Sequence, residues 1–75
     1  MHSFSDMRNV VLEKKAGQHL WIATDILRAL GERMPTSQSP QYRLALRTLD
    51  ALESEGYLHK RYIPSVHITV YWRIP

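Results

Sequence analysis

Ser39-Pro40-Gln41-Tyr42-Arg43-Leu44-Ala45-Leu46-Arg47-Thr48-Leu49-Asp50-Ala51-Leu52-Glu53-Ser54-Glu55-Gly56 runs without a break into Tyr57-Leu58-His59-Lys60-Arg61-Tyr62. The first part carries the marks of a helix over residues 40–55. Ser39 suits the N-cap, and Pro40 suits the first helical position, where its missing N–H costs nothing. Gly56 supplies a left-handed stop. Tyr42, Ala45, Leu49 and Leu52 recur at spacings of three and four and form the expected buried stripe. From Tyr57 the period changes to two. Residues 57–62 and 66–73 are rich in β-branched and aromatic side chains, with Ile63-Pro64-Ser65 between them as a turn. On the second strand Val66, Ile68, Val70 and Trp72 share one face, and His67, Thr69, Tyr71 and Arg73 share the other.

Upstream, a first helix is expected from about Phe4. Ser3 and Asp6 have capping-box spacing, and Phe4, Met7, Val10 and Val11 would face the core. Lys14 and Lys15 fall in its last turn, and Gly17 is its stop. His19-Leu20-Trp21-Ile22-Ala23 is too short for a helix and reads as a strand. Thr24-Asp25 caps a second helix with Ile26, Leu27 and Leu30 inward, ended by Gly31. Glu32 to Gln38, with Pro35, Thr36 and Ser37, form a connector longer than a minimal helix-turn-helix turn. Two strands alone are marginal, so the strand near Trp21 is expected to join them as a third. The expectation is one α+β domain over residues 1–75, in the order α-β-α-α-β-β.

Seventy-five residues, 44% hydrophobic and 23% charged, are enough for one small core. The chain has no cysteine, which excludes disulfides and thiolate zinc sites. No apolar run approaches the roughly 18 residues needed to span a membrane. Residues 1–6 have neither a basic start nor an apolar signal core, so a cytoplasmic location is expected. The net charge is +3, and residues 57–75 hold Lys60, Arg61 and Arg73 with no carboxylate, a strip that suits a polyanion. Of His2, His19, His59 and His67, only His59 and His67 can be brought together across a hairpin. Two ligands do not make a zinc site, so no metal or cofactor is expected. A cysteine nucleophile, a glycine-rich phosphate loop and a paired acid and base at helical spacing are all absent, and no enzyme activity is expected.

Ile22-Ala23-Thr24-Asp25-Ile26-Leu27-Arg28-Ala29-Leu30-Gly31 is a short strand running into a helix. Leu49-Asp50-Ala51-Leu52-Glu53-Ser54-Glu55-Gly56-Tyr57-Leu58-His59-Lys60-Arg61 is a helix end entering a basic hairpin. With these segments nearly the whole chain resembles the winged helix-turn-helix DNA-binding family, of the small prokaryotic, viral or plasmid regulator type. The resemblance implies a winged helix whose third helix enters the major groove and whose hairpin is the wing. It also implies double-stranded DNA as partner, transcription regulation as the role, and a homodimer.

With the stripe of the third helix turned inward, its outward set is Gln41, Arg43, Leu44 and Arg47, preceded by Ser37, Gln38 and Ser39. Gln can pair two ways with adenine and Arg with guanine, and Arg43 and Arg47 lie one turn apart. The candidate DNA-binding residues are therefore Gln38, Ser39, Gln41, Arg43 and Arg47 on the helix and Lys60, Arg61 and Arg73 on the wing, where His59 and His67 are their neighbours. Wing cations of this kind hold phosphates and position the protein without reading sequence. Asp50, Glu53 and Glu55 oppose a uniformly basic helix. Leu46 is expected opposite Leu49 on the third helix, with Arg43, Asp50 and Glu53 as neighbours, and is the candidate subunit contact. The alternative is a winged helix used for protein contacts, such as a phage-encoded inhibitor or a subunit of a larger assembly. It is favoured if Leu46, Tyr57, Tyr62 and Tyr71 form one exposed apolar patch. The ending Tyr71-Trp72-Arg73-Ile74-Pro75 also looks like the wing exit of the Z-form nucleic-acid-binding subgroup. That subgroup carries Asn and Tyr ten and six residues before the glycine, where this chain has Leu46 and Asp50.

Overall fold

The computed structural model of the protein describes residues 1–13 and 20–73. The expected Lys14 and Lys15 at a helix end, the Gly17 stop and His19 lie outside the described residues. Helix α1 spans Phe4–Glu13 and opens with the expected reciprocal cap. The Ser3 N–H donates to Asp6 Oδ2 at 2.9 Å, and the Asp6 N–H donates to Ser3 Oγ at 3.1 Å. The Ser3 amide holds the Asp6 carboxyl below its usual range. Met7, Val10 and Val11 are buried, but Phe4 is 39% exposed rather than inward. It stands at the first helical position, one turn before the buried stripe begins.

Strand β1 is only Leu20–Trp21, and helix α2 follows at once over Ala23–Ala29. The helix starts before Thr24 because Asp25 folds back as its cap. Its carboxylate accepts the Ile22 N–H at 2.9 Å, and the Ile22 carbonyl accepts the Asp25 N–H at 2.9 Å. Ala23 is thereby helical rather than part of the strand. At the far end Gly31 sits at φ +104°; its N–H reaches the Arg28 carbonyl and the Glu32 N–H reaches the Leu27 carbonyl. That crossed pair is the Schellman closure, which needs a left-handed residue at this place.

Helix α3 spans Tyr42–Ser54, two residues shorter at its start than the sequence suggests. Ser39 does not cap it forward. Its hydroxyl accepts the Thr36 N–H at 2.9 Å and donates to the Glu32 carboxylate, so it ties the connector together. Pro40 then lies in a turn closed by the Tyr42 N–H on the Ser39 carbonyl. The helix ends as expected at Gly56, φ +90°, with the same Schellman pair: Gly56 N–H to Glu53 and Tyr57 N–H to Leu52.

Strands β2 (Leu58–Ile63) and β3 (Ile68–Arg73) form an antiparallel hairpin in the register Leu58↔Arg73 through Ile63↔Ile68. Its turn is Pro64 to His67, with His67 at φ 54°, so Val66 belongs to the turn and not to the strand. β1 pairs antiparallel with β3 through Leu20↔Trp72 and Trp21↔Tyr71, giving the sheet order β1-β3-β2. The strand near Trp21 is thus the third strand, as expected.

All three helices and one face of the sheet share the core: Met7, Val10 and Val11 from α1, Ile26 and Leu27 from α2, Ala45, Leu49 and Leu52 from α3, and Trp21, Leu58 and Tyr71 from the strands. On α3 the buried set differs from the expected stripe. Tyr42 is only half-buried, while Thr48 is fully buried, its hydroxyl donating to the Leu44 carbonyl at 2.8 Å and lying 3.9 Å from Met7 Sδ. Leu44 and Leu46 are half-buried against the core rather than projecting into solvent. The chain is therefore a small α+β fold, three helices with a three-stranded antiparallel sheet, in an order compatible with a winged helix. No helix among the described residues is long and apolar enough to cross a membrane.

A Cβ at Gly56 would meet nothing within 4 Å, so only the backbone conformation opposes a side chain there. Gly56→Ala should lower the unfolding free energy by about 1 kcal/mol with the denaturant slope unchanged, measured by urea titration.

Candidate nucleic-acid interface

The face of α3 opposite Ala45, Thr48, Leu49 and Leu52 is set by helical geometry, and Arg43 and Arg47 occupy it one turn apart. Both are exposed, and among the described residues neither has an ion pair or a side-chain hydrogen bond. The carboxylates further along the helix are differently placed. Glu55 Oε2 accepts from Arg8 Nη1 at 2.7 Å, a contact that lowers the Glu55 pKa and raises that of Arg8. Arg8 also lies over the Tyr57 ring, 5.5 Å from its centroid. Asp50 Oδ1 and Glu53 Oε1 each lie 3.6 Å from Lys60 Nζ on β2. Asp50 also accepts the Tyr71 hydroxyl. Each acidic group in the second half of α3 thus has a partner within the fold.

Those pairings sort the candidate residues. Lys60 is committed to Asp50 and Glu53. Arg73 turns inward, its Nη1 donating to the carbonyls of Leu12 at 2.7 Å and Val11 at 3.3 Å. It thereby supplies a cation to the C-terminal end of α1, where the helix dipole favours one. Arg61 is exposed and, among the described residues, has no ion pair or side-chain hydrogen bond. Gln41 is engaged: its Oε1 accepts the His2 N–H at 3.0 Å and its Nε2 donates to the His2 carbonyl. Those are the two amide functions that adenine recognition would use. Ser39 is occupied in the connector, while Gln38 is exposed, with its N–H on Thr36 Oγ1. His59 packs against Trp72, and His67 Nδ1 lies 2.9 Å from the Tyr62 hydroxyl. Among the described residues no cluster of three or more His, Asp or Glu could hold a metal.

Leu46 lines two shallow grooves between α3 and the hairpin. One is walled by Ile22, Tyr42, Ile68 and Thr69, the other by Asp50, Lys60, Tyr62 and Tyr71. It faces the hairpin, 60° from Leu49 on the helical wheel rather than opposite it as expected, so it is not a free-standing leucine. Tyr71 is 2% exposed, and the four residues Leu46, Tyr57, Tyr62 and Tyr71 do not form one exposed apolar patch. Burial pushes the Tyr71 phenol well above its ordinary pKa, and the bond to Asp50 adds to the rise.

What the residue pattern alone missed is the pairing of Asp50, Glu53 and Glu55. One signal for it is the alternation of β2, which sends Leu58, Lys60 and Tyr62 to the side of α3. Comparison of the chain with protein-family models, curated proteins and solved structures gave no match.

Tyr71→Phe removes a charge-assisted bond from a buried ring and leaves a half-exposed carboxylate that water can reach. It should cost about 1–2 kcal/mol by urea titration. Lys60→Met should cost under about 0.5 kcal/mol, because its ion pairs are roughly half-exposed. Asp6 and Glu55 both have lowered pKa values, so near pH 4 the unfolded chain binds more protons than the native one. Stability should therefore be complete above the unfolded carboxylate pKa and fall as pH drops through about 5 to 3, read from thermal melts.

Proposed function

We propose that the chain is a winged-helix protein that binds double-stranded DNA as a small transcriptional regulator or repressor, with α3 in the major groove and the β2–β3 hairpin as its wing. The observation that carries this is the state of the α3 surface. Among the described residues Arg43 and Arg47 stand exposed without ion pairs on its outward face, while Glu55 pairs with Arg8, Asp50 and Glu53 share Lys60, and Asp50 accepts the Tyr71 hydroxyl. The acidic half of the helix therefore repels a phosphate backbone less than its composition implies. Arg43 and Arg47 reach for base edges or groove phosphates, and Arg61 is the wing cation free to meet a phosphate. Lys60 and Arg73 serve the fold instead. Gln41 reads a base only if His2 is displaced. As a homodimer the protein would occupy two half-sites about one helical turn apart.

The test is binding to duplex DNA across a salt series. With three or four phosphates neutralised, the log–log slope should lie near −3. Arg43→Ala/Arg47→Ala should weaken binding by at least about tenfold and flatten the slope by up to about 2, while Lys60→Met should change little. Salt-independent binding, or a double variant that binds as the parent does, would sink the proposal and turn attention to a protein partner.

A further inference from the structure

Trp21, Leu58 and Tyr71 point into the core, so strand alternation sends their neighbours to the opposite face of the sheet. There Leu20, Trp72 and His59 stand in one row across β1, β3 and β2, through the pairs Leu20↔Trp72 and His59↔Trp72. The His59 and Trp72 rings lie 5.5 Å apart, tilted by 32°. The next row is Val70 beside Arg61. His59 and Arg61 are exposed, Trp72 and Val70 are half-buried, and no strand position on this face carries a carboxylate.

A second copy of the chain is a poor occupant. Two six-residue strands and the two-residue β1, about 4.8 Å apart, present about 200 Å², against about 800 Å² per partner in a stable complex. A duplex is also a poor match, because its bases are stacked on one another and show the protein only their edges. A single strand offers base faces to aromatic rings and phosphates to a cation, and base–aromatic stacking tolerates any sequence. We propose that this outer face of the sheet binds single-stranded nucleic acid, with Trp72 and His59 as the stacking platform and Arg61 on the phosphates. Arg61 is also the wing cation of the proposed duplex contact, but Trp72 and His59 stand apart from the outward face of α3 and do not depend on duplex binding there.

Trp21 is buried and Trp72 is not, so tryptophan fluorescence reports on this face. The full chain is titrated with a twelve-nucleotide oligothymidylate, followed by fluorescence quenching and by anisotropy of a labelled strand. The oligonucleotide should bind and quench. His59→Ala, a change at an exposed position, should weaken binding by about 5- to 30-fold. Trp72→Phe keeps a ring and should weaken it less than Trp72→Ala, with thermal melts confirming that each variant folds. Arg43→Ala/Arg47→Ala should leave single-strand binding unchanged. Absence of binding by the parent chain, no effect of His59→Ala, or equal loss in the Arg43/Arg47 double variant would each overturn the proposal. So would self-association of the parent that Trp72→Ala abolishes, since that assigns the face to a second copy.

Discussion

Tyr71 joins the sheet to α3. Its ring is buried among side chains from the helices, and its hydroxyl reaches Asp50 on the solvent side of α3. A two-stranded hairpin has little stability of its own in water. Here the hairpin is held from two directions: β1 pairs with β3, and Tyr71 and Lys60 hold β3 and β2 to Asp50 and Glu53. The contributions are unequal. Burial of the tyrosine ring provides most of the stabilisation, because ion pairs as exposed as those of Lys60 contribute little. The polar atoms act mainly on direction, setting where the hairpin lies relative to the helix.

The same tie redistributes charge. By composition the chain offers a cation at each of Arg8, Arg43, Arg47, Lys60, Arg61 and Arg73, with Asp50, Glu53 and Glu55 among them. Folding pairs Arg8 with Glu55, sets Lys60 between Asp50 and Glu53, and turns Arg73 onto the end of α1. Arg43, Arg47 and Arg61 remain exposed. Lys60 offsets one of the two carboxylates beside it and Arg8 offsets Glu55, so the acidic second half of α3 repels a polyanion less than its composition implies.

With so few residues, the fold gives several side chains more than one task. Arg73 belongs to the basic hairpin in sequence but completes α1 in space. Ser39, expected to cap α3, organises the connector with Glu32 and Thr36 instead. Gln41 holds the backbone of His2. In each case a polar group was taken up by the nearest unsatisfied backbone or side-chain partner, as a small domain with much surface and little core requires.

Local pattern alone determined the element order, the Ser3–Asp6 cap, the stops at Gly31 and Gly56, and most of the core face of α1 and α3. Caps, glycine stops and hydrophobic periods act between residues a few positions apart, so they are written in neighbouring letters. The burial of Thr48 and Tyr71, the half-buried position of Leu46 and the inward course of Arg73 were decided by tertiary structure. So was the choice of which cations stay free. Asp50 meets Tyr71 and Lys60, and Arg8 meets Glu55, across separations that no period in the chain encodes. Only the packing of the sheet against the helices brings those groups within reach of one another.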